Sequence, residues 1–495
     1  MKTIFEVLEH NKKLEKQAII CGKDTVSYAE LYKKVVEFGN LLCTYNTDKI
    51  IVFMPNCVNY VIAYLGTLYS KKTVYPISSK SKKDEVKSAI IRTNANTILC
   101  TKETLSIAKK SIESIEANLI CMDDMQTEKR DRKNKMFAEF EIEPPEVSVL
   151  LNTSGSTAIH KIVMLNEEGI MTNCRDWINE ILQQYEEGRM LIAMPAATSF
   201  GTVIITTCII LGWTMVFLPA FFNSGTLIKT IEQENITHLL CIGSMLNILV
   251  KDLERVAPNE IYNTLKFIGI GGNKAVGETI KKIMRYFPNA GISPGYGITE
   301  ATCIVTAINP KLSLANKKKF LEKIESAGTP FPNVKLKIGR GINGEDNIGE
   351  ILISGPTVMH GYYKNDIATK EAIKDEVLYT GDIGYIDEEN YLYIVGRIKN
   401  IIKSGGYTVF PEEIETVLLN CSIIKEAYVY GVKDFVLDEK IVADVVLVDE
   451  NEDDKKKIKD YCMEHLADYK IPACINIVNT IQKTKTGKVY RKVHF

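Results

Sequence analysis

The stretch that decides the fold is VIITTCIILGWTMVFLPAFF, Val203 to Phe222. It is almost wholly apolar and approaches the length of a membrane span. Gly212 and Pro219 cut it into shorter pieces, and both residue types interrupt regular structure. The reading is therefore a buried helix ending near Gly212, followed by a strand from Trp213 to Leu218. No membrane span is expected.

The same rhythm runs outward in both directions. Ile50 to Met54 reads as a strand, with a helix around Asn59 to Tyr69. Further strands are read at Thr97–Cys100, Val147–Leu151, Leu191–Met194, His238–Ile242 and Phe267–Ile270. Helical patterns such as Ser224 to Glu234 and Val276 to Arg285 lie between most of them. Short apolar strands alternating with amphipathic helices imply an α/β fold of mostly parallel sheets covered by helices. The charged segment Thr127 to Lys135 (TEKRDRKNK) reads as an exposed connection. After about residue 396 the pattern changes. Strands at Ala427–Val432, Ile441–Val448 and Cys474–Val478, with a helix at Asp453–Leu466, suit a small α+β domain. Domains 1–396 and 397–495 are expected.

Composition narrows the function classes. The chain has 495 residues, 45% hydrophobic and 25% charged, enough for more than one packed core. Its net charge is -1, so no basic field invites nucleic acid. Six dispersed histidines and twelve singly placed cysteines form no zinc-type cluster. Unpaired cysteines suit a reducing compartment, and the N-terminal MKTIFEVLEHNKKLEKQ lacks a signal-peptide core. A cytoplasmic location is expected.

The first chemical motif is LNTSGSTAIHK, Leu151 to Lys161, directly after a strand. Small residues let backbone amides approach a polyphosphate closely. Thr153, Ser154, Ser156 and Thr157 add hydroxyls, Gly155 adds backbone freedom, and Lys161 adds positive charge. The Walker pattern GxxxxGK[ST] is absent. More motifs follow in order: GYGITE at Gly295–Glu300, LYTGDIG at Leu378–Gly384, GRIKNIIKSGG at Gly396–Gly406, PEEIE at Pro411–Glu415 and KTKTGK at Lys483–Lys488. Together they resemble the acyl-activating superfamily: acyl- and aryl-CoA synthetases, luciferases and the adenylation domains of peptide synthetases.

That resemblance implies a large N-terminal domain, a mobile C-terminal lid and an active site between them. It implies ATP and Mg²⁺ as cofactors, a small carboxylic acid as substrate, and CoA or a carrier-protein phosphopantetheine as thiol acceptor. Asp382 matches the carboxylate that holds the ribose hydroxyls, and Arg397 a ribose or phosphate ligand. Tyr296, with Gly297, matches the aromatic motif at adenine, and Gly271, Gly272 and Asn273 the stretch passing beside it. Thr299 is expected near the α-phosphate, and Glu300 matches the magnesium-binding acid. Lys488 matches the catalytic lysine bridging acyl carboxylate and α-phosphate. One well-placed donor is worth roughly 3–4 kcal/mol of transition-state stabilisation. Lys399 matches the hinge of lid rotation, while Lys403 and Gly406 match groups brought in for the thiol step. Thr198, Phe200, Val203, Gly295 and Ile298 are placed around the acyl group.

The chain departs from the family pattern at several points. Ala158, His160 and Ile162 replace the usual glycine, proline and glycine of the phosphate loop. MPAATSFG, Met194 to Gly201, lacks the histidine that relatives carry near Thr198, and Pro294 replaces a polar residue. No acid occurs between Ala193 and Ala220, where amino-acid-activating relatives hold the substrate ammonium, so Ser199 or a neighbour disfavours an α-amino acid. Three readings stay open: an acyl- or aryl-CoA ligase, an enzyme loading an acyl carrier protein, and a nucleotide-binding protein with lost activity.

Overall fold

The computed structural model describes residues 3–125, 146–153, 161–218, 223–273, 277–342, 345–405, 407–448, 454–483 and 489. The segment Thr127–Lys135, residues Ser154–Thr157, Ala158 and His160 of the phosphate loop, Gly406 and Lys488 lie outside them.

Val203–Leu218 folds as a helix and a strand, and Pro219–Phe222 lie outside the described residues. The helix Ser199–Leu211 is capped by Thr198, whose hydroxyl accepts from Gly201 N at 3.1 Å. It stops at Gly212, whose φ of +61° is left-handed and suits a residue without a Cβ. Val203, Ile204, Ile205, Cys208 and Ile209 are all buried, each aliphatic side chain worth roughly 1.5–3 kcal/mol of burial. The strand Thr214–Phe217 then runs parallel to both Arg189–Ile192 and Gln17–Cys21. Among the described residues no helix is long and apolar enough to cross a membrane.

The large part of the molecule is built on two mostly parallel sheets. The first, nine strands, carries Phe267–Gly271 and Gly291–Tyr296 side by side near one end. The second, seven strands, has the strands Lys49–Met54, Thr73–Ser78, Thr97–Cys100 and Asn118–Cys121 in parallel. One hydrophobic cluster fills the space between the sheets, including Tyr64, Trp177 and Phe217. Between residues 271 and 427 the apolar pattern points to no strand. The structure has a five-stranded sheet there, in which Lys335–Ile342, Glu345–Ser354, Val377–Ile386 and Leu392–Arg397 pair antiparallel.

Beyond it lies a smaller unit with its own core, including Ile402, Val409, Leu418, Val429, Val445 and Ile458. Its long strands Ile424–Asp434 and Asp438–Leu447 are antiparallel, and Cys474–Ile477 adds in parallel to the second. The fold is thus mixed α/β with a small C-terminal α+β part.

Candidate active site

Parallel strands leave a crevice at their carboxyl ends, where ligands of α/β proteins commonly bind. Gly291–Tyr296 delivers the first group there. Gly297 follows, and a Cβ on it would lie 1.6 Å from Cys303 O, so only glycine permits the chain to fold back here. Tyr296 is buried, and its hydroxyl donates to Asp382 Oδ2 at 2.6 Å. Asp382, 2% exposed, sits opposite Arg397 in the antiparallel sheet, and Arg397 Nε meets its Oδ1 at 2.6 Å. Thr380 fixes the turn: its hydroxyl donates to Ile351 O at 2.7 Å and accepts from Asp382 N at 3.0 Å. Gly381 N donates to Glu350 Oε1 at 2.8 Å. Burial, and next the charge of Asp382, push the Tyr296 phenol well above its ordinary range, which keeps it a donor. Each carboxylate oxygen of Asp382 retains a second lone pair.

A short 3-10 turn, Thr299–Ala301, carries the second group. Thr299 Oγ1 lies 3.3 Å from Ser199 Oγ on the first turn of the apolar helix. Glu300 Oε1 accepts from the Tyr362 hydroxyl at 2.9 Å, and Glu300 O accepts from Met359 N at 2.9 Å. Lys161 Nζ stands 4.5 Å from the centroid of the Tyr362 ring. The phosphate loop tops a hairpin of Val149–Asn152 and Ile162–Leu165, closed at its base by Thr153 N donating to Lys161 O at 3.0 Å. Ile162 is a buried strand residue packed in the core beneath that hairpin.

The third group is the end of Phe267–Gly271. Gly272 takes a φ of +75° and Asn273 N turns back to Gly271 O at 2.8 Å. Asn273 Oδ1 is buried, and nothing among the described residues donates to it. The Phe200 ring lies against Gly271. Thr198 caps its helix and donates to Pro195 O at 2.9 Å. Val203 is buried in the main core, Ile298 packs against it half-buried, and Gly295 pairs with Ala307. Lys399 lies in the short turn Ile398–Asn400 between the two parts. Lys403, exposed in Ile402–Ser404, donates to Thr408 Oγ1 at 2.5 Å. Lys483 pairs with Glu426 at 2.8 Å and bridges Val489, framing the segment that holds Lys488.

Two contributors escaped sequence reasoning: Tyr362 and Thr380. Thr380 lies in the quoted LYTGDIG motif, and its part depends on the neighbouring strand. Tyr362, in GYYKN, carries no spacing signal.

Among the described residues no group of three His, Cys, Asp or Glu could hold a metal. Mg²⁺ needs few carboxylates when phosphate oxygens and water complete its shell. Glu300, with one oxygen engaged by Tyr362, fits that role and would hold the ion through the other.

The chain is similar to known proteins along most of its length. The family described as AMP-binding enzyme matches residues 7–363, and its C-terminal domain matches residues 413–488. The chain is 26% identical over 485 residues to 2-succinylbenzoate–CoA ligase from Bacillus licheniformis, covering 96% of each protein. It is 27% identical over 467 residues to 4-coumarate–CoA ligase-like 6 from Arabidopsis thaliana, covering 90% of this chain and 80% of that protein. The solved o-succinylbenzoate CoA synthetase from Bacillus subtilis, in complex with AMP, superposes with a TM-score of 0.84 at 25% identity, covering 98% of this chain and 97% of that one. With both domain matches in sequence order, the chain belongs to the AMP-binding, adenylate-forming enzyme family.

Proposed function

We propose that this protein activates a carboxylic acid with MgATP, releasing pyrophosphate, and then transfers the acyl group to the thiol of CoA. The observation that carries the reading is the buried Asp382 carboxylate, held by Tyr296 and Arg397 with lone pairs to spare for a vicinal diol. Around it, Asn273 Oδ1 offers a buried acceptor to an adenine amino group. Lys161 and Glu300 lie on the phosphate side, joined through Tyr362. In this reading 1–396 binds the nucleotide and 397–495 is a lid turning about Lys399. The lid first brings Lys488 to the α-phosphate, where its charge offsets the approach of two anions. It then exchanges that lysine for Lys403 and Gly406 as the thiol arrives. The names of the relatives favour CoA as acceptor and an aryl or other apolar acid as substrate.

Pyrophosphate exchange over a panel of carboxylic acids tests the first half, and CoA against a holo carrier protein tests the second. Acid-dependent exchange is expected; ATP binding with no exchange for any acid would sink the activity. Lys488→Ala should lower adenylate formation at least about 100-fold, from a loss of roughly 3–4 kcal/mol. It should leave thioester formation from supplied acyl-adenylate intact. Equal loss of both halves would make Lys488 structural.

A further inference from the structure

Tyr362 touches both ends of the phosphate-handling apparatus. It sits in the two-residue strand Gly361–Tyr362, which pairs antiparallel with Ile162–Leu165, the strand leaving the phosphate loop. Tyr362 faces Val163 in register, Tyr363 N donates to Ile162 O at 2.7 Å, and His360 N donates to Met164 O at 3.0 Å. Its own N–H is taken by Thr369 Oγ1 at 2.8 Å. The backbone is thus fixed on both sides, and the ring can reach Lys161 while the hydroxyl reaches Glu300.

The turn bearing Glu300 is gripped from the same segment. Thr302 Oγ1 donates to Thr357 O at 2.6 Å, and Met359 N donates to Glu300 O. Thr302 has φ +69° and ψ −59°, with Cys303 N donating to Ala301 O at 2.8 Å. That is a γ-turn of the rare hand, strained for a β-branched residue at about 1–3 kcal/mol. Strain of this kind persists only where the surroundings over-determine it, and Thr302 is 1% exposed. Segment 357–362 therefore holds the acid at its backbone, through the Thr302 hydroxyl and through its carboxylate.

We propose that Tyr362 is a positioning residue that couples the phosphate-loop cation to the metal-side acid: its ring seats the Lys161 ammonium, and its phenol fixes Glu300 so that the second oxygen is left for Mg²⁺. The inference rests on the roles assigned above to Lys161 and Glu300. The phenol is the O–H donor and the Glu300 carboxylate the acceptor of that bond. A ring face attracts an ammonium without neutralising it, so Lys161 remains available to a phosphate.

The test is ATP binding by calorimetry, with Mg²⁺ and with EDTA. Tyr362→Phe keeps the ring and removes the hydroxyl. It should leave metal-free ATP affinity unchanged and raise the Mg²⁺ concentration needed for tight binding by roughly 5- to 10-fold. Tyr362→Leu should weaken metal-free ATP binding as well, because Lys161 loses its seat. Identical Mg²⁺ titrations for Tyr362→Phe and wild type would overturn the proposal, as would equal losses with and without metal. A double-mutant cycle with Glu300→Gln gives an independent reading: non-additive losses support the coupling, and additive losses refute it. A wild-type protein that binds MgATP but performs no acid-dependent exchange would defeat the proposed activity and leave this comparison fully readable.

Discussion

Asp382 shows how much one buried carboxylate is asked to do. Tyr296 and Arg397 occupy one direction on each oxygen, and its own N–H is bound by Thr380. A charge this buried is stable only while those donors remain. Asp382→Asn would leave Arg397 without its anion and remove one acceptor facing a ribose. Hydrogen bonds to charged groups are worth about 1.5–3 kcal/mol, so ATP affinity should fall roughly 10- to 100-fold. Equilibrium binding of ATP measures this, and an unchanged affinity would refute the assignment of Asp382 to the nucleotide. Asp382, Tyr296 and Glu300 were legible because each lies in a short motif whose chemistry is local. Tyr362 was not, because its contact with Lys161 is created by strand pairing across about two hundred residues, and no local pattern encodes that.

At the scale of single elements, apolar runs were the readable signal. Leu239–Ile242 and Phe267–Ile270 are buried on both faces and appear in the sequence as unbroken apolar stretches. The antiparallel sheet was harder. Lys335, Leu336, Lys337 and Ile338 alternate with the period of a half-buried strand, but Gly339 and Gly341 interrupt the pattern. The register shifts after Ile338. His238 shows what a polar residue costs inside a parallel strand. Its ring is fully buried among Tyr185, Trp213 and Phe267, at centroid distances of 4.7, 4.3 and 5.8 Å. Burial, and next Lys266, pull it down to about 3. The unfolded chain takes up this proton near pH 6.5, whereas the folded protein does not until about pH 3. Stability from the neutral ring is therefore fully present above pH 6.5 and is lost as the pH falls below it, at up to roughly 1.4 kcal/mol per pH unit. His238→Leu should lower the protein's sensitivity to acid between pH 7 and pH 5, as read from urea midpoints. An unchanged difference between the two pH values would contradict it.

Across the whole molecule, Lys251 links the two parts. It lies on the helix Gly243–Val256 of the large part, and its Nζ donates to Ile424 O of the small part at 3.3 Å. Burial, and next the neighbouring Lys425, lower it from 10.5 to about 8, with Glu426, Lys282 and Glu254 also facing it. Because the docked lysine releases its proton near pH 8 and a free one near 10.5, raising the pH through that window favours this docked arrangement. Fluorescence energy transfer between labels on the two parts should show the docked population growing from pH 7 to 9.5. Lys251→Met should flatten that response; a variant with the wild-type pH dependence would show that other groups govern docking. Glu426, beside this contact, also pairs with Lys483, so the docking point and the frame of the Lys488 segment share one strand.

The pairing of Gly361–Tyr362 with Ile162–Leu165 also sets an order of events on the ribosome. At about 5–20 residues per second, roughly 10–40 s separate the emergence of those two strands. During that interval the phosphate hairpin has an open sheet edge, a template for wrong pairing between chains. A nascent chain that stalls before residue 362 therefore presents this edge to its neighbours on the same polysome. Synonymous changes that slow translation between residues 165 and 362 would lengthen that exposure without altering a single amino acid.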